Sequence, residues 1–205
     1  MQAFTLAEKY RGPVMILGDG LIGQMMEPVE FPDDLKTEPS NKDDWATNGM
    51  DTRKSKTRNL VKSLFLDPKE LNDNNLALKA KYAQMKREEI QFEAYNTDGD
   101  YRVLITSFGT MSRVCRTAID LLKEEGIEVA MLRPKTVFPF PEQAVFDAAT
   151  KESCKAVISI EMNMGQMVED VERCVKGQRP VEFYGECGGD IPSPEKIIEI
   201  IKAMI

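Results

Sequence analysis

The chain has 205 residues, 42% of them hydrophobic, and a formal net charge of −7 with acidic and basic residues interspersed. That composition supports a buried core and excludes a nucleic-acid or anionic-membrane surface. No run of about 18 apolar residues exists to cross a bilayer, and the N-terminus lacks the charged start and apolar centre of a secretory signal, so the expected location is cytoplasmic.

There is no histidine, which removes the commonest general base and the commonest metal ligand. Cys115, Cys154, Cys174 and Cys187 are scattered, with no Cys-x-x-Cys pair. Zinc and iron–sulfur sites need clustered thiolates, so none is expected, and the four cysteines read as buried free thiols.

In chain order, Gln2–Tyr10 is a short helix ended by Arg11-Gly12-Pro13, and Val14-Met15-Ile16-Leu17 is a buried-strand run. A helix and a strand without an earlier partner strand resemble the tail of a domain begun upstream, which would make Met1 an internal start or a cut. Gly18-Asp19-Gly20-Leu21-Ile22-Gly23 matches G-x-G-x-x-G, but Pro28 and Pro32 interrupt the helix that dinucleotide binding requires. It reads as a glycine turn closing the strand. Glu30–Arg58 is polar, charged and proline-containing, a linker or partner-binding arm in which Trp45 anchors the segment on a neighbouring surface. Leu60–Leu66 is a short apolar patch, and Asp67-Pro68 marks a turn or helix start. The spacing predicts a helix over Asn74–Tyr95, a docking helix with Leu78, Tyr82, Met85 and Phe92 on one stripe.

From residue 101 the pattern is regular. Strand 101–106, the small-residue turn Ser107-Phe108-Gly109-Thr110, helix 110–125 stopped by Gly126, and strand 128–133 make a βαβ unit. Phe138-Pro139-Phe140-Pro141 is a rigid loop into helix 141–151. Strand 155–161, helix 166–176, a short strand at Val181–Tyr184 and a last helix capped by Ser193 complete the run. The fold class is α/β: a three-layer, mostly parallel sheet over 101–205, preceded by a remnant at 1–31 and a helical linker at 32–100.

Three stretches carry a resemblance: Arg-Val-Leu-Ile-Thr-Ser-Phe-Gly-Thr at 102–110, Leu-Arg-Pro-Lys-Thr-Val-Phe-Pro-Phe-Pro at 132–141, and Val-Ile-Ser-Ile-Glu-Met-Asn-Met-Gly-Gln-Met at 157–167. They resemble the C-terminal, transketolase-like domain of the 2-oxoacid:ferredoxin oxidoreductase α subunit, of the 2-ketoisovalerate or 2-oxoglutarate type. Residues 12–31 resemble the end of that subunit's pyrimidine-binding domain. The resemblance implies oxidative decarboxylation of a 2-oxoacid to an acyl-CoA, with electrons passed to ferredoxin. It also implies thiamine diphosphate, magnesium and iron–sulfur clusters in the whole complex, and other subunits as partners. This chain itself is expected to bind no cofactor or metal, to contribute no catalytic residue, and to be inactive alone. Gly18-Asp19-Gly20 has the first letters of a thiamine pyrophosphate motif, but Asn74-Asn75 stands too far away to complete it.

The candidate contacts gather at strand ends. Ser107, Gly109 and Thr110 open a helix whose N–H groups could hold an anion such as a CoA phosphate; the plainer reading is a cap in which Thr110 supplies the oxygen. Glu161, Asn163, Gly165 and Gln166 form a turn that is either a subunit contact or a polar turn in which Asn163 bonds its own backbone. Arg133 and Lys135 could pair with Glu161 or an anionic ligand, or form a solvated pair. Cys115 reads as packing. Two other readings stand beside the first: a free-standing α/β domain binding CoA or a nucleotide at Ser107–Thr110, and the C-terminal domain of another thiamine enzyme, such as a transketolase or a branched-chain dehydrogenase β subunit.

Overall fold

A computed structural model of the chain describes residues 2–31, 42, 45–47 and 59–205. The chain divides into two compact units: Met1–Leu17 with Met25–Gln84, and Gly18–Gln24 with Met85–Ile205.

In the first unit, α1 (Gln2–Tyr10) forms where expected. The Arg11 guanidinium lies over the half-buried Trp45 ring, 5.8 Å from its centroid. Val14–Leu17 is not the expected buried strand. It carries no regular structure, and Met15 and Ile16 are 80% and 83% exposed. An apolar run becomes a strand only beside a hydrogen-bonded neighbour, and among the described residues none pairs with it. Most of the expected arm at 30–58 lies outside the described residues. Leu60, Val61, Leu64 and Leu66 are exposed.

Helix α2 spans Pro68–Glu88. Asp67 Oδ1 accepts the Glu70 N–H at 2.9 Å, an N-cap with proline at the first helical position. The helix starts earlier than the apolar stripe predicts and stops seven residues sooner, because Phe92–Tyr95 is a strand, β1. In β1 the half-buried residues alternate with more exposed ones, a period of two. Antiparallel pairing with the next strand but one overrides the helical spacing seen from Leu78 to Phe92.

The second unit then follows the expected order: β2 (Val103–Ser107), α3 (Gly109–Glu124), β3 (Val129–Pro134), α4 (Glu142–Thr150), β4 (Ala156–Glu161), α5 (Met167–Val175), β5 (Val181–Gly185) and α6 (Pro194–Met204). The sheet order is β1-β3-β2-β4-β5, parallel except for β1. β2 and β4 are fully buried, as central parallel strands covered on both faces must be.

The core lies in two layers. On one face α3 and α6 pack together over Val103, Ile105, Ile158 and Ile160. On the other, α4 and α5 cover Leu104, Leu132 and Val157. Strand alternation sends Leu104 to one face and its neighbours Val103 and Ile105 to the other. Ser193 Oγ accepts the Lys196 N–H, so α6 has the predicted cap. β1 is held to β3 by charge as well: Glu93 stands opposite Arg133 in register and accepts from Arg133 at 3.1 Å and Lys135 at 2.8 Å.

Candidate functional site at the carboxyl edge of the sheet

β3, β2 and β4 are neighbours and parallel, so Pro134, Ser107 and Glu161 end on the same edge of the sheet. In such sheets this edge, where helices begin, is where ligands dock.

Ser107 is buried and its hydroxyl donates to Ile160 O at 2.9 Å, tying β2 to β4. Phe108 is extended at the N-cap of α3 and gives no side-chain cap. Thr110 does not cap this helix, contrary to the sequence expectation. It is the second helical residue, and both its backbone N–H and its hydroxyl donate to Asp19, at 2.8 Å to Oδ2 and 2.9 Å to Oδ1. The anion at this helix end is thus the chain's own carboxylate, 91 residues earlier in sequence. Gly109 makes the seat. Its φ is +59°, and a Cβ there would lie 2.6 Å from Asp19 Oδ2. Burial alone would raise the Asp19 carboxyl pKa; hydrogen bonds from Ile22 and Thr110 outweigh that and hold it below its ordinary 3.8.

Glu161 is 1% exposed and stands at the start of α5. Its Oε1 accepts from Ser159 Oγ at 2.9 Å and from Val168 N at 2.8 Å. Its Oε2 accepts from Asn163 Nδ2 at 3.0 Å, Gln166 N at 3.2 Å and Met167 N at 2.9 Å. One carboxylate therefore satisfies three of the orphan N–H groups of the helix start, where the macrodipole also favours negative charge. Asn163 Oδ1 accepts the Gly165 N–H at 2.7 Å, the self-bonding turn that the plainer reading described. Gly165 has φ +100° and leaves no free room for a Cβ, with Val168 Cγ1 at 3.3 Å. Gln166 occupies the N-cap position and enters the network through its backbone N–H.

Arg133 and Lys135 do not reach Glu161. They pair with Glu93, whose carboxyl is held low by the hydrogen bond from Lys135 first, against some burial, and by Arg133. The reason is sheet order: β3 lies between β1 and β2, so Arg133 stands opposite Glu93, and β2 intervenes before β4. Cys115 is buried and its thiol is pushed up to about 12, chiefly by desolvation, so it packs and does not ionise at neutral pH. Cys154 and Cys174 are also buried, but Cys187 is exposed, which corrects the reading of four buried thiols. It lies between β5 and α6, outside any strand or helix.

Asp19 and Glu93 are the residues that sequence reasoning missed here. The glycine turn at 18–23 was the only signal for the first, and nothing local marks the second.

The Asp19 carboxylate is already used within the chain, both oxygens being engaged by Thr110 and Ile22, and no group of three acidic or thiol side chains among the described residues is placed to hold a metal.

The fold and this edge define a mostly parallel α/β domain in which the starts of α3 and α5 are met by its own carboxylates. Residues 102–197 match the family model described as pyruvate:ferredoxin oxidoreductase core domain II. The ketoisovalerate oxidoreductase subunit VorB of Methanothermobacter thermautotrophicus is 40% identical over 202 residues, 98% of this chain and 55% of that subunit. The 2-oxoglutarate synthase subunit KorA of the same organism is 30% identical over 233 residues, 100% of this chain and 59% of that subunit. A solved chain of 2-oxoglutarate:ferredoxin oxidoreductase from Magnetococcus marinus shares the fold, with a TM-score of 0.57 and 22% identity, covering 69% of this chain and 24% of that one. The chain is a homologue of 2-oxoacid:ferredoxin oxidoreductase subunits, and it spans just over half the length of the VorB and KorA relatives. Among the described residues no helix is long and apolar enough to cross a membrane.

Proposed function

We propose that this chain is the structural and docking portion of a cytoplasmic 2-oxoacid:ferredoxin oxidoreductase. The complete enzyme oxidatively decarboxylates a 2-oxoacid such as 2-ketoisovalerate to an acyl-CoA and passes the electrons to ferredoxin. The observation that carries this reading is the 40% identity to a ketoisovalerate oxidoreductase subunit, which runs through 98% of the chain. Thiamine diphosphate, magnesium and the iron–sulfur clusters belong to other parts of the complex, and the other subunits are this chain's partners. The chain's own residues serve as scaffold. Glu161 and Asp19 already fill the anion positions at the starts of α5 and α3. That second occupancy weighs against a free-standing domain that takes a CoA phosphate at Ser107–Thr110.

The test is turnover. The chain alone, and the complete oxidoreductase containing it, are each given 2-ketoisovalerate, CoA, thiamine diphosphate, magnesium and a viologen acceptor. Acyl-CoA formation and viologen reduction are expected from the complex only. Turnover by the chain alone overturns the docking role, and a complex inert toward every 2-oxoacid offered overturns the reaction.

A further inference from the structure

The turn Gly18–Gln24 belongs to the C-terminal unit, although the segments on both sides of it in sequence belong to the other. Inside the turn, Asp19 Oδ1 accepts the Ile22 N–H at 2.9 Å and Asp19 O accepts the Gly23 N–H at 3.1 Å. Outward, the same side chain takes the backbone N–H and the hydroxyl of Thr110. Gly109 leaves open the space that the carboxylate fills, since a Cβ would come within 2.6 Å of Oδ2. Around this point the turn is mostly exposed, Ile22 being 37% exposed and Leu21 half-buried, and the Gln24 N–H closes it on Leu21 O at 2.9 Å.

We propose that Asp19 is a latch: seated in the gap at Gly109 and bonded to Thr110, it couples the Gly18–Gln24 turn to the start of α3 and makes that coupling separable from the folding of the domain. The chain passes from one unit to the other after Leu17, Gln24 and Gln84. The device is conformational. It decides whether the Gly18–Gln24 turn stays seated on the α/β domain or comes away from it. A short segment fixed by one side chain opens at a free energy well below that of the core strands, so the latch can open without unfolding the sheet.

Hydrogen exchange on the full chain tests this, reading peptides over residues 18–24 and over β2, β3 and β4. D19A is expected to speed exchange at Ile22–Gln24 by about tenfold or more while the strands keep their wild-type protection. D19A also removes the bond to Ile22, so G109A supplies the discriminating arm. It leaves that local bond intact and fills the seat. Under the latch, G109A speeds exchange at 22–24 as D19A does, whereas T110S, which retains both donors, stays within about twofold of wild type. Exchange at 22–24 unchanged in G109A refutes the latch, because the turn then holds itself. Equal acceleration in the turn and in the three strands for both D19A and G109A also refutes it, because Asp19 is then an ordinary part of the cooperative fold. If D19A does not fold, D19N is read instead, with the same two refuting outcomes.

Discussion

Replacing Glu161 by glutamine separates the charge of the α5 cap from its shape. The amide keeps the size of the side chain but has one acceptor oxygen in place of two. Set on the Oε2 position, that oxygen retains Asn163, Gln166 and Met167; the NH2 group then faces the Val168 N–H, donor against donor, while the Ser159 hydroxyl can turn to accept. The half-buried Val168 N–H is left without a partner, at a cost of up to about 1–3 kcal/mol. Loss of the negative charge at the helix start adds up to about 2 kcal/mol in so buried a place. Together these come to about 1–5 kcal/mol, roughly 2–20 °C in Tm for a chain of this size. E161A orphans all three backbone N–H groups and opens a cavity, and costs about 4 kcal/mol or more. Urea denaturation followed by circular dichroism measures both. A loss below about 0.5 kcal/mol in E161Q would refute the reasoning, since it would mean that water or a neighbour satisfies the helix start as well as the carboxylate does.

Four further outcomes are expected. The latch should depend on pH: hydrogen bonding holds the folded Asp19 carboxyl below its ordinary 3.8, so its contribution is complete above that value and is lost as pH falls through the lower folded one. The Thr110 and Ile22 amide resonances should move together below pH 3.8, and a shared midpoint at or above it would contradict this. Gly185→Ala places a methyl group 2.2 Å from Asn163 O, so stability should fall by about 1–3 kcal/mol through overpacking, measured by thermal unfolding. Ser193→Ala removes the α6 cap and should cost about 0.5–2 kcal/mol by the same measurement. A thiol reagent at neutral pH should modify Cys187 alone in the native chain and all four cysteines after denaturation; rapid loss of a second thiol would contradict the burial of Cys115, Cys154 and Cys174.

Where sequence and structure agree, the governing interactions are short in range. Residues 103–134 carry a buried β-branched run, a glycine turn, an amphipathic stretch, a glycine stop and a second apolar run, and β2, α3 and β3 follow within a residue or two. Ser193 before Pro194 marked the start of α6 for the same reason. The Glu161 network was partly legible, since its acceptors and donors lie within seven residues, but as a polar turn and not as a helix cap. Its burial depends on β4 being covered on both faces.

The two misread segments needed partners that no local window contains. Phe92–Tyr95 fits a helical stripe by itself and becomes a strand because β3 offers its free edge and Arg133 stands opposite Glu93. Val14–Leu17 has strand-forming residues and no strand beside it among the described residues. By itself, then, the sequence determined the order of helices and strands after residue 102, the two buried faces of the sheet, and through similarity the family. Tertiary structure alone decided which carboxylates close the helix starts and which cations are already paired. Periodicity is a property of neighbours along the chain, whereas Asp19 meets Thr110, and Arg133 meets Glu93, only after folding has brought distant segments within hydrogen-bonding reach.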